Sequence, residues 1–291
     1  MTVETLDRPH RKPVDWWRWG GRLFLALLLI FTALPMVWMV LTSIKTQFAA
    51  MQYPPQWWPA EPTLDNYRRL LDPRNSVGHD FLVYFWNSTK VAVLTTVIGV
   101  VIAVPAAYAF SRFRFPGRTP LFFAVLLRNM FPAVVFLMPL FLLMRWMGLV
   151  GSHWSLVLTY LTFGLPLSIW LLKGFFDNIP VQLEQAARID GATRFQAFLL
   201  IVMPLSMPGI IATSIFSFIG AWNEYVYAVT LLNNKDMLTL PVGIQRYFAE
   251  FATDWPGLMA ATFLMSVPVV ALFLFLQKYF VRALTEGAVK S

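Results

Sequence analysis

Six apolar stretches, each long enough to cross a bilayer, constrain this sequence more than anything else in it. They run over about 23–44, 86–110, 120–144, 154–176, 206–232 and 257–281. A spanning helix needs roughly 20 mostly apolar residues. Lipid offers no partner to an unpaired backbone amide, so each stretch must close its own hydrogen bonds as a helix. The composition agrees: 58% of the residues are hydrophobic and 13% charged, whereas a soluble domain carries about 25% charged residues. The expected fold is therefore all-α and integral to the membrane, with six transmembrane helices. Arg128 and Glu224 interrupt two of the spans, and Pro35, Pro105, Pro132, Pro139, Pro166 and Pro268 lie within them. Such kinks are tolerated in bilayers where neighbouring helices cover the freed backbone groups.

The basic residues set an orientation. With the N-terminus inside, Arg8, Arg11, Lys12, Arg18, Arg22, Arg112, Arg114, Arg118, Lys173, Arg188, Arg194, Lys278, Arg282 and Lys290 fall on the inner side, 14 of the 23 Lys and Arg. Lys45, Arg68, Arg69, Arg74, Arg145, Lys235 and Arg246, 7 in all, fall outside, and Lys90 and Arg128 lie within spans. This positive-inside bias puts both termini in the cytoplasm. Phe24 to Ile44, at 21 residues, is too long for the apolar core of a signal peptide. The net charge of +8 is scattered, which suits contact with anionic lipid rather than nucleic acid. There is no Cys, and His10, His79 and His153 form no ligand pattern, so no metal site is expected. The chain reads as one membrane domain over 1–291, with a cytoplasmic tail 1–22, an outside loop 45–84 and a cytoplasmic loop 177–204.

The cytoplasmic loop is patterned. Asp177 or Asn178 can cap a helix start with Pro180 in its first turn. Gln182 to Asp190 is good helix sequence, and Gly191 suits the position just past a helix end. Thr193 with Gln196 three residues on matches a capping box. Phe195, Phe198, Leu199 and Val202 share one face of that second helix, and Pro204 and Pro208 mark the return to the membrane. The prediction is two short helices hinged at Gly191. Ala186 and Ala187 offer a small surface for close approach, with Glu184, Arg188 and Asp190 around it. Headgroup-bound amphipathic helices are the alternative, but these usually carry Lys/Arg-rich polar faces, and this one is mixed. In the outside loop, Tyr53-Pro54-Pro55-Gln56-Trp57-Trp58-Pro59 precedes a short helix capped by Thr63 or Asp65 and running to Leu71. That loop reads either as membrane-hugging, with Trp57 and Trp58 at the headgroups, or as a face for an external partner.

The stretch Glu184-Gln185-Ala186-Ala187-Arg188-Ile189-Asp190-Gly191-Ala192, with Pro204 downstream, resembles the "EAA" loop in the membrane subunits of binding-protein-dependent ABC importers. Thr63-Leu64-Asp65-Asn66-Tyr67, Trp222-Asn223-Glu224-Tyr225 and Leu284-Thr285-Glu286-Gly287-Ala288-Val289-Lys290 resemble the carbohydrate-uptake, maltose-type group, and the smaller of its two membrane subunits. The resemblance implies a type I ABC importer permease fold. It implies that Glu184, Gln185, Ala186, Ala187, Asp190, Gly191, Ala192 and Pro204 belong to a coupling loop seated on a cytoplasmic ABC ATPase dimer. It further implies a second permease subunit in a heterodimer, an extracellular or periplasmic sugar-binding protein, and ATP and Mg held on the ATPase rather than on this chain. The family's Glu usually stands directly before the Ala pair. Here that place is Gln185, and Glu184 lies one step earlier, turned by about 100° on a helix. No G-x-x-x-x-G-K-[ST] loop is present, so the energy must come from another polypeptide.

An ionisable group inside a span costs about 2.5–3.5 kcal/mol on insertion scales and is by default a functional hypothesis. Arg128, Asn129, Trp222, Asn223, Glu224 and Tyr225 are therefore candidates for a translocation path, and an Arg128–Glu224 pair would offset the cost. Two other readings stand beside a sugar importer. An ABC permease for a non-sugar solute is opposed by the sugar-group motifs. An ion-coupled secondary transporter would need inverted repeats and midplane ion ligands, and neither is visible.

Overall fold

A computed structural model describes residues 16–245 and 253–288, with side chains described over 20–245 and 253–277. Arg8, Arg11, Lys12, Arg246, Val289 and Lys290 lie outside the described residues, as do the side chains of Arg18, Lys278, Arg282 and Leu284 to Ala288.

The regular structure of the described residues is helical, with α1 (Trp16–Ser43), α2 (Gln47–Met51), α3 (Asp65–Leu71) and α4 (Ser76–Arg112) first in order. α5 (Arg118–Leu127) and α6 (Leu137–Trp146) follow, joined through single 3-10 turns at Arg128–Met130 and Ala133–Phe136, and then α7 (His153–Asp177). The loop holds α8 (Val181–Ile189) and α9 (Arg194–Ala197), a π-turn at Phe198–Val202, and α10 (Met203–Leu205). The rest is α11 (Met207–Trp222), α12 (Val226–Leu231), α13 (Leu240–Ile244) and α14 (Trp255–Ala288). Among the described residues, four helices are long and apolar enough to cross a membrane, and six spans result when each of two bent pairs is taken as one.

Those two bent pairs correct the expected spans. The third is not straight: Arg118–Met130 and Ala133–Trp146 meet at 100°. Pro132 cannot continue the first segment's ladder, and the residue before it, Phe131, is extended at φ −91 and ψ 136. The fifth, expected over 206–232, stops at Trp222 and resumes as α12, while at its N-terminal end Arg194–Leu205 meets Met207–Trp222 at 71°. α4 begins at Ser76, ahead of the apolar stretch expected from about 86; the Asn75 side chain accepts Gly78 N–H at 2.7 Å and caps that start. An apolar count misses this turn because its residues are polar, although Phe81 and Tyr84 just beyond it enter the core.

α4 lies along α7 and α11, and α14 packs on α11 and α1. Two buried clusters result. The larger joins Phe81, Val91, Leu156, Tyr160, Trp222 and Leu240. The smaller lies at the C-terminal ends of α4 and α7 and includes Ala107, Phe110, Leu172, Phe176 and Val202. Gly209 lets α11 approach α7 closely, since a Cβ there would fall inside the Phe175 ring. From Gly20 to Val37 α1 is exposed and presents a largely apolar surface, while Thr42 and Ser43 at its end are buried.

The outside loop folds back on the end of α1. Asn66 Nδ2 donates to the Ser43 and Lys45 carbonyls, each at 2.9 Å, answering acceptors a helix end leaves open. Lys45 is buried, donates to Gln56 O at 2.5 Å and lies 4.5 Å from the Trp38 ring centre. Trp57 meets Trp38 edge-on at 5.1 Å, and Trp58 stays exposed. α3 starts at Asp65, whose N–H is accepted by the Thr63 hydroxyl at 3.1 Å.

Candidate functional site

The loop between α7 and α11 forms the two short helices expected. α8 ends in a Schellman motif: Ala192 N–H donates to Ala187 O at 2.9 Å and Gly191 N–H to Arg188 O at 3.2 Å. This closure needs Gly191 at φ +93, a conformation that residues with a Cβ rarely adopt. The next helix opens on a complete capping box. Thr193 Oγ1 accepts Gln196 N–H at 3.2 Å, and Gln196 Oε1 accepts Thr193 N–H at 2.8 Å.

Two local expectations need correction. Asp177 and Asn178 do not cap α8; Asp177 closes α7, Asn178 caps its C-terminus, and Pro180 precedes α8 directly. Nor do Phe195, Phe198, Leu199 and Val202 all lie on one face: Phe198 and Val202 meet the smaller cluster, while Phe195 and Leu199 are exposed. A π-turn over Phe198–Val202 interrupts the regular helical spacing there.

What the knob offers outward is clear. Ile189 is 86% exposed and Phe195 67%. Gln185, Ala186, Arg188, Asp190, Gly191 and Pro204 are also exposed, and Ala187 and Ala192 are half-buried. This exposed face mixes apolar side chains with both signs of charge. Glu184, expected among those charges, is instead buried. Arg112 Nε donates to its Oε1 at 2.5 Å and Tyr108 Oη to its Oε2 at 2.7 Å. Gln185, one step on, is left on the exposed side. Sequence reasoning missed Tyr108 and Arg112; their four-residue spacing at the end of a span was the only sign of a shared face.

The candidate path residues divide. Trp222 is core: it is 1% exposed, stacks on Phe218 at 5.6 Å and donates Nε1–H to Met265 O at 3.1 Å. Glu224 caps α12, accepting Tyr227 N–H at 2.9 Å, Ala228 N–H at 3.1 Å and the Tyr160 hydroxyl at 2.7 Å. A carboxylate at that helix start meets the positive end of the dipole, which offsets its burial. Tyr225 Oη donates to Gln245 Oε1 at 2.8 Å. Arg128 does not pair with Glu224. Its guanidinium carbon lies 3.4 Å from the Phe163 ring centre, and Nη1 donates to Asn129 Oδ1 at 2.8 Å. The two breaks still belong to one neighbourhood, because Phe163 packs on Tyr227 at 5.0 Å and Tyr227 Oη donates to Ala133 O at 2.7 Å. Asn129 and Asn223 are exposed beside the breaks. Irregular backbone at membrane depth persists where protein covers it or where it lines a cavity. Among the described residues no three His, Asp or Glu gather as a metal site.

Comparison with known proteins fits this geometry. Residues 95–286 match the family described as the inner membrane component of binding-protein-dependent transport systems. The sulfoquinovosyl glycerol transport system permease protein of Agrobacterium fabrum is 37% identical over 265 residues, covering 91% of each chain. The maltose/maltodextrin transport system permease protein of Salmonella typhimurium is 39% identical over 215 residues, covering 72% of each. In structure, a chain of a bacterial ABC transporter involved in the import of the acidic polysaccharide alginate superposes with a TM-score of 0.79 at 23% identity, covering 94% of this chain and 100% of that one. The fold is the type I ABC importer permease fold, all-α and multi-pass. The chain belongs to the family of inner membrane components of binding-protein-dependent transport systems.

Proposed function

We propose that this chain is one of two membrane subunits of an ATP-driven importer that moves a sugar, a disaccharide or oligosaccharide, into the cytoplasm. The single observation that carries the reading is the knob over 181–196: closed at Gly191, capped at Thr193, and turning Gln185, Arg188, Ile189, Asp190 and Phe195 away from the bundle. Those side chains have the mixed character of a protein-docking face. The sequence holds no P-loop, so ATP and Mg belong to a cytoplasmic ATPase dimer that receives the knob. The Lys/Arg asymmetry supports placing the knob and both termini in the cytoplasm. An extracellular or periplasmic binding protein delivers the sugar to the opposite end.

The mechanism is alternating access. ATP binding closes the ATPase dimer, the two coupling loops are drawn together, and the spans change between inward-open and outward-open arrangements. The ligands act only through their different affinities for the two arrangements. The breaks at Arg128–Phe136 and Asn223–Tyr225 supply polar groups at membrane depth, with Asn129 and Asn223 exposed to meet sugar hydroxyls. The sugar class is supported by relatives whose names carry a sulfoquinovosyl glycerol and maltose/maltodextrin.

The test is uptake into proteoliposomes holding the purified complex, with ATP inside and binding protein outside. Sugar accumulation that requires ATP and binding protein is expected. Accumulation driven by an ion gradient without ATP would contradict the reading, and ATP-driven uptake of an amino acid in place of sugar would contradict the substrate class.

A further inference from the structure

The knob is attached to the bundle in two ways. Covalently it follows α7 through Asn178, Ile179 and Pro180, where the helical ladder is interrupted and Pro180 is extended at ψ 126. Such a link does not carry the helical ladder of α7 into α8. The second attachment is to α4. Tyr108 and Arg112, one turn apart, both reach Glu184, at 2.7 and 2.5 Å. Arg112 Nη2 also donates to Ile179 O at 2.8 Å. The Tyr108 ring sits 6.0 Å from Phe176 at the end of α7 and 4.5 Å from Phe198 beyond the hinge. The Arg112 and Glu184 side chains are only 9% and 10% exposed. Opening a pair this buried strands an uncompensated charge, so the joint resists rotation of α8 against α4. α4 in turn lies along α7 and α11.

We propose that Arg112 and Glu184, with Tyr108, are positioning residues that make α8 and α4 one rigid body, so that displacement of the knob reaches the spans through α4. Glu184 thus serves this internal joint, and the face offered to the ATPase is carried by Gln185, Arg188, Ile189 and Asp190. The inference rests on the coupling reading above.

The sequence contains no Cys, so labelling sites can be introduced without background from this chain. Spin labels at Val181→Cys in α8 and Val101→Cys in α4, 45% and 66% exposed, report the joint in the complete reconstituted transporter. The Val181–Val101 distance is expected to stay within about 2 Å between the ATP-free and ATP-bound states, while the spans rearrange. Glu184→Gln is expected to broaden that distance and to cut sugar uptake per ATP hydrolysed by about tenfold, with the ATPase still co-purifying. Glu184→Asp is expected to recover part of the loss. A distance that changes between states in the protein with the native Arg112–Glu184 pair overturns the joint, as does a Glu184→Gln transporter with unchanged uptake per ATP. Should Glu184→Gln fail to assemble, the distance with the native pair alone decides. A separate label at Ile189→Cys that never approaches the ATPase would instead sink the coupling reading.

Discussion

Replacing Gly191 by asparagine, alanine and valine isolates the hinge. An added Cβ at Gly191 meets nothing within 4 Å inside this chain, so the cost within the chain is that of the backbone at φ +93. For alanine a left-handed conformation costs about 1–2 kcal/mol; for a β-branched residue it rises toward about 3 kcal/mol. Escaping that strain breaks the Ala192–Ala187 and Gly191–Arg188 hydrogen bonds that fix the angle between α8 and α9. Since 1.4 kcal/mol is about a factor of ten, the population of correctly angled knob falls roughly tenfold for alanine and roughly a hundredfold for valine. Asparagine tolerates the conformation better and loses least. The assay is ATP-driven sugar uptake in proteoliposomes, with membrane yield and helicity measured alongside. Uptake should rank Gly, Asn, Ala, Val while yield and helicity stay constant. Wild-type uptake by the valine variant, or a loss that tracks protein yield, would refute the hinge argument.

Ala187→Asp puts a charge on the half-buried small surface of α8; uptake should fall at least about tenfold with membrane insertion intact and ATPase co-purification weakened, and unchanged co-purification would remove Ala187 from the contact. Trp222→Ala should destabilise the detergent-solubilised protein by about 3–5 kcal/mol, read as a lower unfolding temperature, because it empties a site packed by Phe218, Phe85 and α14. An unchanged unfolding temperature with altered sugar preference would return Trp222 to the path. Glu224→Ala frees two N–H groups and the Tyr160 hydroxyl and should cost about 1–2 kcal/mol, whereas Glu224→Gln keeps an acceptor oxygen and should cost less. Equal losses would argue against the capping role.

The legible parts were those set by neighbours in sequence. Gly191, and Thr193 with Gln196, act within four residues, so the hinge and the capping box could be read directly from the chain. Long apolar runs likewise announced α1, α4, α7 and α14. What stayed hidden depended on distant partners or on backbone breaks. Glu184 meets Arg112 across 72 residues, and nothing near either residue signals the other. The resemblance assigned Glu184 to the docking loop by its place in the motif, whereas the helix turns its side chain toward α4 and leaves Gln185 outside. Pro132 was visible within the third span, but the size of its bend was not, because the break is held by contacts distant in sequence, among them Tyr227 Oη to Ala133 O. The π-turn at Phe198–Val202 carries no local signal, and it interrupts the spacing that had put Phe195, Phe198, Leu199 and Val202 on one face. Glu224 was singled out as ionisable in a span; that it caps α12 required knowing the helix breaks at Asn223.

The most direct measurement places a photo-crosslinker at Ile189, the most exposed apolar side chain of the knob, in the assembled transporter in lipid. An adduct with the ATPase polypeptide is predicted, strengthening when ATP is bound. Adducts with lipid alone, in every nucleotide state, would contradict the account.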